Sequence, residues 1–463
     1  MSDKQLTYIM SDLHVGGGPA DPGDDHIWQG EPLVRLLDQW RGSAQGQAGA
    51  IELVFNGDFL EFAQTNTAAF AHLSDKFWCT ESESLAKLNT ILAGNANMFA
   101  ALARFQETGN LVTIAAGNHD VDLAWPAVQA RLRQAAGADL RFEIGQVWLE
   151  RHDRRLQIGH GHMDDVANRF EHWDKPILAA DGGPPCLEMC PGTLFMVKFV
   201  NHLEAKYPFA DNLLPVTKLL PVLLRDDKRG LASVGWLFMK LVAGTSLAVL
   251  EAGGPAEIEK VLLARVRDDA VWRQSVAAAL GGVADSAETL SATTRQTLLS
   301  LQKRWLDDKA ASTAHAALLQ DSMLALLGRV DDAQWQQLFE APNAQAVLGA
   351  DDGVTLNALR KAAFEDGKKA LRLVARDRAD ATGAEVVVMG HTHQTDQAQA
   401  GSAMYFNPGC WTRYLELAPG QQVTLDDLRD ESRYPYALNY VKVASGANGP
   451  LQASLETFEK STP

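Results

Sequence analysis

The feature that most constrains this chain is a short polar cluster that occurs five times, each time directly after an apolar run. The apolar runs have the length and composition of buried strands, and loops at strand ends commonly carry functional side chains. The five clusters are Asp12-Leu13-His14, Gly57-Asp58, Gly117-Asn118-His119-Asp120, Gly159-His160 and Gly390-His391-Thr392-His393. Open α/β sheets place their chemistry at the carboxyl ends of the strands. The pattern therefore predicts an α/β core whose strand-end loops build one site.

The order of helices and strands predicts a core that is interrupted by an insert. Helices are expected at 31–40, 81–107 and 355–380, and strands at 147–150, 155–158, 403–407, 436–443 and 451–458. From about 163 to 354 the pattern is helical and has no fixed repeat. We therefore expect a core made of residues 1–165 and 355–463, with a helical cap at 166–354 between its two parts.

Net charge and cysteine content restrict which binding partners and which cellular compartment are expected for this protein. The formal net charge is −16 and no long basic run offsets it, so a non-specific grip on long nucleic acid is not expected. The four cysteines are too few and too scattered for a disulfide framework, which fits a reducing cytosol. Cys186 and Cys190 would share one helical face, and we expect buried structural thiols rather than a redox or zinc pair. No basic and apolar leader precedes the first strand, so a cytoplasmic protein is expected.

One apolar stretch, residues 230–250, tests that expectation because its 21 residues carry a single charge, Lys240. Its length approaches that of a membrane span. A charge at the centre of such a span is expensive, so a buried helix is the favoured interpretation. An interfacial helix is the alternative, and it would bring a peripheral contact with the inner face of the membrane.

The side chains in the five clusters are of the types that bind metal ions. Seven of them form the candidate ligand set: Asp12, His14, Asp58, Asn118, His160, His391 and His393. Carboxylates, imidazoles and an amide suit divalent ions of intermediate hardness, such as Mn²⁺, Fe²⁺ or Zn²⁺. Seven ligands are too many for one tetrahedral ion but suit two ions that share a carboxylate. Each cluster alone also fits an ordinary turn or a helix cap, and their joint occurrence favours the metal ions.

In this order the five clusters resemble the motifs of the calcineurin-like metallophosphoesterase family. The resemblance covers about 270 residues of the core and leaves the cap uncovered. It implies a four-layer αββα sandwich, of the α/β (α+β) class, with a dinuclear site at the strand ends; the large helical insert lies outside it. Within the family, the pattern is most similar to the bacterial UDP-2,3-diacylglucosamine pyrophosphatase-like group. The similarity rests on the insert after the fourth cluster and on the segments Ser11-Asp12-Leu13-His14 and Gly57-Asp58-Phe59-Leu60-Glu61.

The resemblance also implies a role for each candidate residue. One ion would be held by Asp12, His14 and His393, the other by Asn118, His160 and His391, with Asp58 bridging the two. His119 would contact the phosphate and protonate the leaving oxygen, with Asp120 orienting it. Just beyond the fourth cluster, His162, Asp164 and Asn168 are expected to contact substrate. Mn²⁺ is the favoured metal, with Fe²⁺ or Zn²⁺ as alternatives.

The expected activity is hydrolysis of a phosphodiester or pyrophosphate bond through in-line attack by a metal-bridging hydroxide. The alternatives are a phosphomonoesterase or nucleotide phosphodiesterase at the same site, and an inactive scaffold that keeps the fold. The apolar stretches of the cap, 213–224 and 230–250, suit a pocket or a membrane-facing edge for a lipid-linked substrate, but the core of a helical domain is the favoured interpretation. The expected partner is therefore a small-molecule or lipid-linked phosphoester.

Overall fold

The computed structural model describes residues 4–18, 31–65, 76–165, 168–180, 182–204, 206–214, 367–417, 423–445 and 449–461. The chain divides into two compact units. The first comprises Met1–Val197, Glu365–Leu415 and Asp430–Pro463, and the second comprises Lys198–Phe364 and Glu416–Arg429. All five polar clusters belong to the first unit. Most of the expected cap, with the apolar stretch 230–250, lies outside the described residues, so the cap boundaries 166–354 stay a prediction.

The strands of the described residues are, in chain order, β1 (Leu6–Met10), β2 (Ile51–Asn56), β3 (Leu111–Ala115), β4 (Arg141–Glu143), β5 (Leu149–Arg151), β6 (Leu156–Ile158), β7 (Ile177–Leu178), β8 (Cys186–Leu187), β9 (Leu213–Leu214), β10 (Val386–Val388), β11 (Asp396–Ala400), β12 (Ala403–Asn407), β13 (Leu415–Glu416), β14 (Ala437–Ser445) and β15 (Leu451–Lys460). The expected hairpin is confirmed by the antiparallel pair β5 and β6. The three expected C-terminal strands are confirmed as β12, β14 and β15.

The α-helices of the described residues are α1 (Glu31–Gly42), α2 (Ala44–Gln47), α3 (Glu81–Gly94), α4 (Ala96–Gln106), α5 (Pro126–Ala136), α6 (Pro191–Phe195), α7 (Asn201–Glu204) and α8 (Gly367–Thr382). A π-helical turn, Met196–Val200, lies between α6 and α7. Single 3₁₀ turns occur at Val121–Ala124, His162–Asp164, Asp427–Arg429 and Glu431–Arg433. In this part of the chain, no helix combines the length and the apolar character that crossing a membrane would require.

Two sheets position the five clusters. Six strands form one sheet in the order β15-β14-β1-β2-β3-β4, and five form a second in the order β11-β12-β10-β6-β5. The strands β1 to β4 run parallel to one another, as do β6, β10 and β12. The strands β1, β2, β6 and β10 are buried along their whole length, and most of their residues are apolar. The clusters that follow β1, β2, β3, β6 and β10 all lie at carboxyl ends of parallel strands.

The two sheets share one apolar core. Ile9 and Val54 come from the first sheet and Ile158, Val388 and Phe406 from the second, and each of them is at most 1% exposed. Burial of such aliphatic and aromatic side chains contributes roughly 1.5–3 kcal/mol for each residue. The sheets are therefore the two inner layers of a sandwich.

Helices cover the outer face of each sheet. On the first sheet, Trp40 of α1 stacks on Tyr8 of β1 with the ring centroids 4.0 Å apart. On the second sheet, Leu371 and Ala375 of α8 belong to the same apolar cluster as Val387 of β10. Val387 points away from the inner core because successive residues of a strand alternate between faces. The result is the α/β fold with αββα layers that the resemblance implies.

The expected single helix at 81–107 is instead two helices, α3 and α4. Asn95 lies between them and serves as the C-cap of the first and the N-cap of the second. Its Nδ2 donates to Gly16 O at 2.8 Å and to Ile91 O at 3.0 Å. The break is thus held by a contact with the loop after β1, which the helical periodicity of the segment does not encode.

The expected helical character from about 163 onward is also wrong for the described residues 168–190. That segment contains the antiparallel pair β7 and β8, and α6 begins only at Pro191, in the first turn where a missing N–H costs nothing. Cys186 lies in β8 and Cys190 is the N-cap of α6, so the two do not share a helical face. Both are buried free thiols, as expected of structural cysteines.

Candidate metal centre

Backbone strain is concentrated in the loops that carry the candidate ligands. In the described residues, eight non-glycine residues have a left-handed backbone, and five of them are candidate ligands with φ between 47° and 69°: Asp12, His14, Asp58, His391 and His393. This conformation is uncommon outside glycine and costs on the order of 1–3 kcal/mol. The Asp12 carboxylate helps to hold it by accepting from the backbone N of His391 at 3.0 Å. The surrounding structure therefore imposes an energetically unfavourable backbone conformation at these candidate ligands.

The first group of converging donor atoms comes from Asp12, His14 and His393, which lie within 4.8 Å of one another. His393 Nε2 lies 2.9 Å from His14 Nε2 and 3.5 Å from Asp12 Oδ1. His14 Nδ1 donates to Glu61 Oε2 at 2.8 Å, so His14 Nε2 presents its lone pair to the group. Nitrogen lone pairs and a carboxylate that converge this closely fit a divalent cation between them.

The second group comes from Asp58, His160 and His391. His160 Nδ1 donates to Asn56 O at 2.8 Å, so His160 Nε2 is the nitrogen that faces Asp58 Oδ2, at 3.0 Å, and in the neutral ring it carries the lone pair. Two acceptors at that distance repel each other unless a proton or a metal ion lies between them. This group therefore fits a second cation.

Asn118, the seventh predicted ligand, presents a buried oxygen. Its Nδ2 donates to Asn168 Oδ1 at 3.3 Å, whereas its Oδ1 has no hydrogen-bond partner among the described residues. A buried amide oxygen without a donor is costly, and a cation would satisfy it. The structure thus brings all seven predicted ligands to one edge of the sandwich in arrangements that fit divalent ions.

Glu61 is a central residue of the site that the sequence interpretation did not single out. Its Oε2 lies 2.8 Å from His14 Nδ1 and 2.7 Å from His119 Nδ1, while its Oε1 accepts from the backbone N of Ala63 and Gln64. Burial alone would raise the pKa of Glu61, but its contacts with His119 and His14 outweigh it and hold the pKa well below its usual range. Glu61 is therefore an ionised acceptor shared by a candidate ligand and the candidate acid. Its position three residues after Asp58 was the available signal.

Asp120 does not make the contact that was expected of it. Its Oδ1 accepts from the backbone N of Gly117 at 2.6 Å and its Oδ2 from that of Phe59 at 2.9 Å. Burial, together with the nearby Asp58 carboxylate, raises the pKa of Asp120 to about 7. Asp120 connects the second loop to the third, and the imidazole ring of His119 contacts the Glu61 carboxylate instead.

The three expected substrate contacts have different surroundings. His162 is buried against Trp173, with ring centroids 4.3 Å apart, and neither of its ring nitrogens has a hydrogen-bond partner among the described residues. Burial and the nearby His160 hold the pKa of His162 well below its usual range. Asp164 is exposed to solvent. Asn168 is half-buried, and its Oδ1 accepts from Asn118 Nδ2. Their roles toward substrate stay predictions.

Part of the chain matches a known family. Residues 307–430 match the calcineurin-like phosphoesterase superfamily domain. The matched segment contains the fifth cluster, with His391 and His393, and the four N-terminal clusters lie outside it. The match supports this superfamily, and with it a metal-dependent phosphoester hydrolase in general. No curated protein matches the chain.

Gly390 offers a direct test of the close packing between the first and fifth loops. A Cβ at this position would collide with Ser11 Oγ and lie 2.6 Å from Asp12 Oδ2. We expect Gly390→Ala to displace Asp12, to weaken metal binding and to lower the free energy of unfolding by roughly 1–3 kcal/mol. Metal content and chemical denaturation measure both effects. Gly183→Ala is the control, because its Cβ would meet only Ala180 at 3.7 Å, and equal losses in the two variants would contradict the prediction.

Proposed function

We propose that this chain hydrolyses phosphodiester or pyrophosphate bonds at a site for two divalent metal ions. The observation that carries the proposal is the convergence of two donor groups, in which an imidazole Nε2 lies 2.9 Å (His14 to His393) or 3.0 Å (His160 to Asp58) from another potential ligand atom. The superfamily match, which supports phosphoester hydrolysis in general, points in the same direction. The likeness of the motifs to the bacterial pyrophosphatase-like group supports the choice of diesters and pyrophosphates.

The proposed ligands follow from the two groups and, for the sharing of Asp58, from the resemblance of the motifs, since Asp58 converges with the second group in the described residues. One ion would bind Asp12, His14 and His393 and the other Asn118, His160 and His391, with Asp58 shared between them. Mn²⁺ is the proposed metal, with Fe²⁺ or Zn²⁺ as alternatives, because the donors are imidazoles, carboxylates and an amide without any thiolate. When bound, the ions would supply positive charge that polarises the phosphoryl group and makes a water more acidic.

His119 is the proposed acid for the leaving oxygen. Its side chain is 14% exposed, so a substrate can reach it, and its Nδ1 is held by Glu61 Oε2 at 2.7 Å. This contact sets the direction of the ring and stabilises its protonated form through the carboxylate charge. We propose that His119 Nε2 delivers the proton, while Asp120 keeps the loop in place through its bonds to backbone amides.

The proposed substrate is a small-molecule or lipid-linked phosphoester. The net charge of −16 disfavours a grip on long nucleic acid. A lipid-linked substrate would also bring a peripheral membrane contact through the cap, at the inner face of the membrane. A cytoplasmic location is proposed because all four cysteines are buried free thiols, which suits a reducing compartment.

The test is hydrolysis of bis(p-nitrophenyl) phosphate and p-nitrophenyl phosphate by the full-length protein, with Mn²⁺ and with EDTA. We expect turnover of the diester that exceeds that of the monoester and that EDTA abolishes. Preference for the monoester would replace the proposal with a phosphomonoesterase. If neither compound turns over, pyrophosphate-linked nucleotides are assayed next, and inactivity on them as well would favour the scaffold alternative.

A further inference from the structure

Asp165 and Asn168 contact two of the residues that would hold the second ion. Asp165 Oδ2 lies 2.9 Å from His391 Nε2, and Asn168 Oδ1 accepts from Asn118 Nδ2 at 3.3 Å. Asn168 Nδ2 also donates to Asp165 Oδ2 at 2.7 Å. We infer that this pair, the Asp165–Asn168 clamp, positions Asn118 and His391 so that both face the same ion. The inference rests on the proposed two-ion site.

The clamp determines which nitrogen of His391 is available to an ion. A carboxylate oxygen only accepts, so the contact with Asp165 requires the proton of the neutral imidazole to lie on Nε2. The lone pair is then on Nδ1, which becomes the ligand atom. A ligating histidine whose other N–H donates to a carboxylate is fixed in tautomer and orientation and is a more basic ligand.

The clamp also determines which end of the Asn118 amide faces the site. Asn168 Oδ1 is an acceptor, so it takes the Nδ2 end of Asn118 and leaves Oδ1 buried without a donor in the described residues. An amide turned the other way would present two N–H groups to a cation and repel it. The contact through Asn168 thus selects the orientation in which Asn118 is a ligand.

In both groups, a carboxylate that is not itself a proposed ligand forms a hydrogen bond with one of the ligand imidazoles. The Glu61 carboxylate accepts from His14 Nδ1 in the first group, and the Asp165 carboxylate accepts from His391 Nε2 in the second. The two carboxylates come from different loops, after β2 and after β6. Loss of the clamp should therefore weaken the second ion alone, which a general loss of stability would not do.

The experiment uses the full-length protein stripped of metal and titrated with Mn²⁺ by calorimetry, with electron paramagnetic resonance of the loaded forms. We expect the native protein to bind two Mn²⁺ ions and to give a spin-coupled signal. Asp165→Ala and Asn168→Ala should keep one ion at native affinity, bind the other about 10–100-fold more weakly and give an uncoupled signal. Asp165→Asn should recover part of the loss, because an amide oxygen can still accept from His391 and Asn168.

Asp174→Ala is the matched control, because it removes the same charge from an exposed position that has no role in the proposed site. It should bind both ions with native affinity. Native affinity for both ions in Asp165→Ala would overturn the clamp, as would equal weakening of the two ions together with a lower Tm. A native protein that binds fewer than two ions would instead overturn the proposed two-ion site, so the two failures are distinguishable.

Discussion

Replacing Asp58 with asparagine should lower turnover by about a thousandfold or more and weaken metal retention while the fold survives. The carboxylate is buried, its Oδ2 faces His160 Nε2 at 3.0 Å and its Oδ1 accepts from the backbone N of His119 at 2.9 Å. Asparagine keeps one oxygen but loses the charge, and its NH₂ group cannot serve as a ligand. Because asparagine tolerates a left-handed backbone, the φ of 49° should not unfold the loop.

The measurements are kcat on the preferred chromogenic substrate, bound metal per chain and the unfolding midpoint. Asp153→Asn is the matched control, since Asp153 is an exposed aspartate with a φ of 55° in the turn between β5 and β6. It should retain native activity and both ions. Near-native turnover in Asp58→Asn would refute the shared role of Asp58.

Glu61→Gln is expected to lower kcat by about 100-fold and to loosen the ion of the first group. In the native chain, one carboxylate oxygen serves two imidazoles and the other accepts from two backbone amides. A glutamine must turn its NH₂ group toward one of these two sets of donors, and it carries no charge to stabilise a protonated His119. Loss of the carboxylate charge should move the high-pH limb of the pH–rate profile to lower pH.

Glu188→Gln provides the comparison for Glu61→Gln. Glu188 is also buried and also accepts from two backbone amides, those of Glu171 and His172, but it touches none of the seven candidate ligands in the contacts of the described residues. It should lose stability without losing the first ion or changing the pH–rate profile. Similar kinetic losses in both variants would show that Glu61 acts through stability rather than through the two imidazoles.

Much of the core could be predicted from local pattern. The strands at Ile51–Asn56 and Leu111–Ala115 are apolar runs of the length that a doubly covered parallel strand needs, and both occur where they are expected. The candidate ligands were recognised from residue type and from their place directly after such runs. Both signals are local, because periodicity and strand ends are properties of a few consecutive residues.

Contacts between distant parts of the chain determined which side chains meet in the candidate site. His14 and His393 are 379 positions apart and meet only because the sheets bring β1 and β10 to the same edge of the sandwich. The same packing joins His14 and His119 to Glu61 and selects Asp165 rather than Asp164 as the neighbour of His391.

The sequence by itself thus determined the order of the elements and the chemical types available for the site. Only the tertiary structure decided which side chains touch, which nitrogen of each imidazole is engaged and where the helix at Asn95 breaks. The physical reason is that the direction of a loop side chain depends on strained backbone angles and on partners from other loops. Neither is encoded in the periodicity of the segment to which the side chain belongs.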